Sequence, residues 1–451
     1  MIEFKIKELN TYYDPFYTYN LFKDKVDSIF LDSSKEDKLL SEYSFIGLNP
    51  YKKFVSKGKK VFIDNEEYND ADPFIKLEEL IDKYKLSSNN DLPFISGAIG
   101  YFSYDIGRML EELPDNSKED FNIPDSIFIF FDNLIIFDLH NKKTYITAAG
   151  QIEEAISSIE GIEKCLKNYK EEEKIKFQVS NNKFFSNFDK VEYERSIGVL
   201  REYIRSGDVY IANMTRRIWC NNNEEPYKIY EKLRSTNKAP FSAYMNFEDF
   251  QIISSSPERF LSVRNGLVQT RPIKGTRPRG KNSEEDERNK NELINSEKDK
   301  SELLMIVDLE RNDLSKVCKP DSVKVTELFK IEKYETVFHL VATIEGKLKE
   351  NVSAVKCIRE CFPGGSITGA PKIRAMEIIE ELEKLKRNIY TGSIGYFDLR
   401  GNSDFNIVIR TIVKKDDRAY LGVGGGITWE SIEEDEWFET IDKAKALMGV
   451  L

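Results

Sequence analysis

The chain has 451 residues, 40% hydrophobic and 32% charged, with 67 Lys and Arg against 78 Asp and Glu and a formal net charge of −11. Such a length buries an ample core without staples, and the acidic balance argues against nonspecific nucleic-acid binding, which rests on phosphate neutralisation by Lys and Arg. The start MIEFKIKELNTYYDPF lacks a signal-peptide pattern and no apolar stretch reaches the roughly 20 residues of a bilayer span, so a cytoplasmic protein without a membrane partner is expected.

In chain order, FISGAIGYFSYD (Phe94 to Asp105) and Ser126 to Ala149 are rich in aromatic and β-branched residues and predict strands, the second turning at HNKK into a hairpin. A helical run, IEEAISSIEGIEKCLKNYKEEEK, decays into the polar stretch 169–187, the candidate linker or surface excursion between an N-terminal region, 1–168, and a C-terminal region, 188–451. VEYERSIGVLREYIRSGDVYIANMTRRIW has a helical spacing that stops at Gly207 and becomes a strand. Strands follow over Ser242 to Arg271, then a helical stretch from SEEDERNK to DLSKV. The C-terminal part predicts strands at Thr391 to Asp398, Asp404 to Val413 and Ala419 to Val423, and helices at Pro371 to Leu385 and Glu434 to Leu447. Grouped strands without regular β-α alternation predict an α+β fold built on antiparallel sheets.

Five cysteines, Cys165, Cys220, Cys318, Cys357 and Cys361, are odd in number and scattered, which fits a reducing compartment and buried packing better than a disulfide framework. Cys357 and Cys361 can share a helix face, but no further Cys or His stands near them, so they do not read as a metal site. RPIKGTRPRG (Arg271 to Gly280) concentrates cations in an acidic chain and sets Lys274 between Ile273 and Gly275. FPGGSITGAPKIRAMEIIEELEKL runs a glycine-rich turn into a helix, with Pro371 near the start. Exposed amides there suit an anion, and a plain turn with a helix cap is the alternative. Ala370 and Pro371 stand where a nucleotide P-loop needs Lys and Ser or Thr, which excludes that motif. The glycines of GVGGGI (Gly422 to Ile427) mark either a structural bulge or backbone amides that hold a carboxylate. Glu436 and Glu439 share a helix face, with Lys443 one turn further. With Glu302 they read either as solvated helix charges or as ligands of a hard cation such as Mg²⁺.

Together, SSSPERFL, RPIKGTRPRG, DKSELLMIVDLERNDLSKV, FHLVATIEGKL, FPGGSITGAPKIRAMEIIEELE, IYTGSIGYF, DFNIVIRT, VGGGI and EWFETIDKAKAL resemble the chorismate-binding enzymes. FLDSS, YSFIGLNPY and GAIGYFSYDIGRMLEELP resemble the N-terminal region of that family, so the resemblance covers nearly the whole chain. It implies large antiparallel β-sheets packed on each other with helices outside, as in anthranilate synthase component I-like enzymes, with the two regions forming one packed unit. PIKGT and GGSITGAP resemble the aminodeoxychorismate synthase component I branch, whereas anthranilate synthases look like PIAGT and GTLSGAP. The reaction implied is formation of 4-amino-4-deoxychorismate from chorismate and ammonia. Anthranilate synthase component I and a noncatalytic chorismate-binding subunit are the alternatives.

By the same resemblance, Arg410, Lys443, Tyr390, Ser366, His339 and the amides of Gly425 and Gly426 bind substrate. Glu302 and Glu439 hold Mg²⁺, with Glu436 beside them as a further or water-mediated ligand. Lys274 is the implied nucleophile and Glu258 the acid that protonates the departing hydroxyl. A nucleophilic lysine must lose its proton, and partial burial with Arg271, Arg277 and Mg²⁺ as neighbouring cations is expected to lower its pKa. The chain departs from its relatives at Ile211, commonly glutamine, and at Trp429 and Glu430, usually a smaller residue and aspartate. No glutaminase is visible, since His140 and His339 sit in strand-like contexts and no cysteine stands in a nucleophile elbow. Ammonia is therefore expected from a separate glutamine amidotransferase subunit (component II). No lyase-sized domain follows residue 451, so a synthase and lyase fusion is not expected. Ser33 and Tyr43 resemble segments that form a tryptophan pocket in relatives, here expected to be structural or vestigial at most.

Overall fold

The computed structural model describes residues 4–35, 40–171, 182–334 and 337–451. Among these residues 22 strands join edge to edge, and every pairing between them is antiparallel. The strand Ser126–Asp138 shows why the sheets are layered, because all of its residues are buried. Ile127, Ile129 and Phe131 enter one core, while Phe128 and Phe130 point the other way into a second. The alternation changes phase at Asp132 and Asn133, after which Leu134 and Ile136 enter the first core and Ile135 and Phe137 a third. A strand apolar on both faces needs a layer on each side.

The first core is built from strands and their connections, among them Ile29, Ile99, Met245, Ile252 and Val413. The other two add helices. Pro73–Lys83, Glu297–Val317 and Ala354–Cys361 cover one outer face, and Ala155–Leu166, Pro226–Thr236 and Glu433–Met448 another. Cys220, Cys318, Cys357 and Cys361 are buried free thiols, and Cys165 is exposed. No helix among the described residues is long and apolar enough to cross a membrane.

N-terminal and C-terminal strands pair directly. Gly97–Phe102 lies against Ser393–Asp398, and Ile29–Asp32 against Phe241–Asn246. Within the stretch 169–187, residues 172–181 lie outside the described residues, and Phe184–Ser186 is a strand on the edge of Ile211–Asn221.

Three local differences from the sequence reading matter for function. The helical stretch is two helices, Ser283–Asn295 and Glu297–Val317, because Ser296 ends the first and caps the second, its hydroxyl accepting from Asp299 N at 3.2 Å. The glycine run lies inside the strand Arg418–Ile427, paired with Ile211–Asn221. Asp404 to Val413 is not one strand but two, Ser403–Asn406 and Thr411–Lys415. Between them Ile407 N donates instead to Glu258 O at 3.0 Å, and Arg410 takes a left-handed φ of 53°.

Candidate active site

Lys274 lies on Ile273–Pro278, opposite Leu340 of the strand Val337–Lys347. The register shifts between Lys274 and Thr276. Gly275 there has φ 70°, and a Cβ on it would stand 2.8 Å from Leu293 and 2.9 Å from Asp299, so the close helix contact requires glycine. Lys274 Nζ donates to Ser366 O at 3.2 Å, and a Cβ on Gly426 would lie 3.4 Å from it.

The arginines around it have other partners. Arg271 donates to Thr343 at 3.0 Å and to Glu332 at 2.6 Å, Arg277 to Glu292 at 2.7 Å and Asp299 at 3.1 Å, and Arg279 to Asp286 at 2.6 Å. Arg271 and Arg277 are thus each paired with carboxylates of their own rather than standing as unpaired cations beside the lysine. The charges that face Lys274 are the acids Glu258, Glu302 and Glu439, whose ionised forms it favours.

Glu258 follows the strand Phe250–Ser256 and is 5% exposed. Burial raises its pKa, against the opposing pull of Ser366, Lys274, the Ile273 amide and Lys443. Beside it the Ser366 hydroxyl is buried and, among the described residues, reaches no partner with full hydrogen-bond geometry, so its pull on Glu258 is that of a loose contact.

Glu302 stands in the second turn of Glu297–Val317, while Glu436 and Glu439 stand in the first two turns of Glu433–Met448. A Cβ on Gly425 would lie 3.0 Å from Glu436 Oε2 and 3.1 Å from Glu439 Oε1, so the bare backbone makes the cradle these carboxylates occupy. Burial and the charge of Glu439 push Glu436 up to about 7, and burial raises Glu302. Partial desolvation would raise Glu439 too, although its side chain is 47% exposed, but Lys443, hydrogen-bonded to it, holds it below its ordinary value with help from Lys298 and Lys274. Lys298 faces all three acids. The sequence reading missed it, although its spacing of four from Glu302 is a usable signal.

No group of three His, Cys, Asp or Glu among the described residues forms a self-sufficient metal cluster. The donor set still fits a hard cation that takes one or two carboxylates and completes its shell from substrate or water. Crowded carboxylates that resist ionising together are what such a cation relieves.

The remaining wall is assembled by the strand break and the glycine run. Arg410 donates to Lys443 O, and Lys443 Nζ donates to Gly424 O at 2.8 Å. Burial lowers the pKa of Arg410. A Cβ on Gly422 would fall 2.2 Å from Tyr390 Cγ, so the tyrosine ring lies directly on the glycine backbone. Gly425 and Gly426 pair with Met214 and Asn213 on one side, whereas pairing on the other side ends at Leu421, leaving an edge without a strand among the described residues. His339 lies opposite Thr276, whose hydroxyl is 2.9 Å from His339 Nδ1.

Ile211 Cδ1 would stand 3.1 Å from a Cβ on Gly426, so this departure from relatives sets an apolar group beside Lys274. Trp429 is 52% exposed over Arg201 and Glu430 is exposed, which puts those departures at the surface. His140 occupies the hairpin turn rather than a strand. Away from this site, Ser33 and Tyr43 line an open cavity of about 290 Å³ with Asp32, Phe241, Arg259 and Asp404. Ser33 Oγ donates to Tyr43 O at 2.8 Å.

The profile of a family described as chorismate binding enzyme matches residues 27–449. The chain is 35% identical to anthranilate synthase component 1 of Acetivibrio thermocellus, over 97% of this chain and 92% of that protein. It is 38% identical to aminodeoxychorismate synthase component 1 of Bacillus subtilis, over 91% and 89%. Its structure is similar to that of anthranilate synthase component I from Streptococcus pneumoniae, with a TM-score of 0.82, 31% identity and coverage of 92% and 93%. Layered antiparallel sheets, a lysine facing acids from two helices and these full-length likenesses agree, and the chain belongs to the chorismate binding enzyme family.

Proposed function

We propose that the chain is the synthase component that converts chorismate and ammonia to 4-amino-4-deoxychorismate, with ammonia delivered by a separate glutamine amidotransferase subunit. Relatives at similar identity carry two different activities, so overall likeness does not discriminate between them. The observation that carries the reading is Lys274 Nζ, held by Ser366 O at 3.2 Å among Glu258, Glu302 and Glu439. The anthranilate branch resembles PIAGT here and has no amine to offer.

Chorismate is a dianion, so an acidic protein must bind it with local positive charge. Arg410, Lys443 and the open backbone edge at Gly425 and Gly426 supply it, with Tyr390, Ser366 and His339 orienting the ring. Glu302 and Glu439, with Glu436 beside them, are the residues that would hold Mg²⁺, which when bound draws electron density from the ring through its carboxylate. Replacing the 4-hydroxyl by an amine with retention takes two displacements. Acting in its unprotonated form, the Lys274 amine forms a bond to the ring while the C–O bond at carbon 4 breaks, and Glu258 donates its proton so that the hydroxyl leaves as water. Ammonia then bonds to carbon 4, the lysine leaves with the electrons of its C–N bond, and Glu258 recovers a proton from the incoming nitrogen.

The test supplies the purified chain with chorismate, ammonium and Mg²⁺. The expected product is 4-amino-4-deoxychorismate without pyruvate, with no product from glutamine in place of ammonium. Lys274→Ala is expected to lower kcat by about 100-fold or more. Pyruvate release by the chain itself assigns the anthranilate reaction instead, and unchanged turnover in Lys274→Ala removes the lysine from the chemistry.

A further inference from the structure

Glu310 is a buried carboxyl that the chemistry above leaves unused. It lies two turns beyond Glu302 on Glu297–Val317 and is 7% exposed. Thr270 Oγ1, on the strand Leu267–Arg271, donates to its Oε2 at 2.6 Å. The short turn Gly365–Ile367 presses on it from another side: a Cβ on Gly365 would meet Leu309 Cδ2 at 2.8 Å and Glu310 Cγ at 3.5 Å. The next residue of that turn, Ser366, adjoins Glu258. Two buried carboxyls therefore flank one turn, and the charge of Glu258 acts on Glu310.

The cation that faces Glu310 is already engaged, and Lys274 reaches the turn only from the Glu258 side, at Ser366 O. Lys372, at the start of Lys372–Glu383, faces Glu310 but donates to Asp313 at 2.6 Å and to the carbonyls of Cys361 and Pro363 at 2.8 Å each. Those three bonds use all its donors. Asp313, on the same helix as Glu310, adds negative charge, partly offset by Lys316 at 3.1 Å. On Ala354–Cys361, a hydrogen bond with Cys357 and burial keep the Cys361 thiol neutral. Burial pushes Glu310 up to about 8, with Glu258 and Asp313 adding to the rise and Thr270 and Lys372 opposing it. Its proton therefore stays on at neutral pH.

We propose that Glu310 is a positioning residue for Glu258: a neutral acid behind the Gly365–Ile367 turn that keeps a second negative charge away while Glu258 gives up its proton and takes one back. This rests on the reading of Glu258 as the proton donor. Glu310 touches no substrate and keeps its proton throughout turnover. When it ionises at alkaline pH, two anions face each other across the turn, Glu258 holds its proton more tightly and turnover falls.

The test combines the pH profile of kcat with infrared difference spectroscopy of the whole chain. In the unmutated chain kcat falls on the alkaline side with a midpoint near 8, and a protonated-carboxyl band titrates with the same midpoint. Glu310→Gln keeps the shape and cannot ionise, so the band disappears and the alkaline limb is lost, while kcat and KM at neutral pH stay within about twofold. A band that is absent from the unmutated chain, or a limb unchanged in Glu310→Gln, overturns the proposal. Should that variant fail to fold, Thr270→Val removes the hydrogen bond that lowers the Glu310 pKa and is expected to move the limb upward, and an unmoved limb overturns the proposal. Glu258→Gln separates the two layers of argument. If it keeps full turnover, the role of Glu258 falls while the Glu310 band remains; if it is inactive and the band is missing, only the Glu310 proposal falls.

Discussion

His339 has an imidazole that burial, and then the Arg410 guanidinium, push down from 6.5 to about 4. Between those values the unfolded chain binds more protons than the folded one. The stability that depends on a neutral ring is therefore complete above about 6.5 and is lost as pH falls through about 4. At neutral pH the ring adds no charge to a site that already holds Arg410 and Lys443, and the Thr276 hydroxyl occupies its Nδ1. The chain has only two histidines, which makes the prediction easy to read. In ¹H–¹⁵N spectra of the imidazoles the His339 signal is expected to titrate near pH 4 and to vanish in His339→Gln, leaving that of His140 on its exposed turn. A His339 midpoint near 6.5 contradicts the burial argument.

Among the elements, the strand Arg418–Ile427 sets the shape of the site through what it lacks. The Tyr390 ring rests on Gly422, where a Cβ would fall 2.2 Å from the ring, and two carboxylates rest against Gly425. Gly422→Ala forces the ring or the strand to move. Overpacking of this kind costs about 1–3 kcal/mol, read as a lower urea midpoint, and displacement of Tyr390 is expected to raise KM for chorismate. An unchanged midpoint with an unchanged KM would show that the ring does not line the pocket. The neighbouring break at Ile407 to Arg410 works in the same way. By leaving the ladder, the chain turns Arg410 toward Lys443, which a continuous strand would not do.

At the scale of the whole molecule, the sheets are shared between the two ends of the chain. Gly97–Phe102 is flanked by Ser126–Asp138 and by Ser393–Asp398, and Ile29–Asp32 by Tyr43–Lys57 and Phe241–Asn246. The C-terminal Leu451 is buried, and its carbonyl accepts from Asn222 at 3.0 Å. A fragment ending at residue 168 would expose the strand edges and apolar faces that these partners cover. It is expected to be insoluble or unfolded when made alone, and the full chain is expected to unfold in a single transition followed by circular dichroism and fluorescence together. A soluble, cooperatively folding 1–168 fragment would show two independent units.

Much of this protein is legible along the chain because local rules decide it. Alternating aromatic and β-branched residues mark the strands, the spacing of apolar residues marks the helices, and motifs in order carry the family, since each depends on neighbours a few residues away. The site was legible as residue types: Lys274, Glu302, Glu436 and Glu439 stand out one by one, Glu258 enters through the family resemblance, and the structure brings them together. Which charge meets which was not legible. Arg271, Arg277 and Arg279 look like a cationic patch in sequence, yet Glu332, Glu292, Asp299 and Asp286 neutralise them from other elements. Lys298 and Glu310 were passed over in the sequence, although Glu310 lies within a family segment and Lys298 is four residues from Glu302, because their roles come from packing against acids distant in the chain. Sequence by itself determined the elements, the family and the chemical groups available. Tertiary structure alone decided charge pairing, proton affinity and the cut in the strand at Arg410, because burial and through-space distance, which set those energies, do not exist until the sheets close.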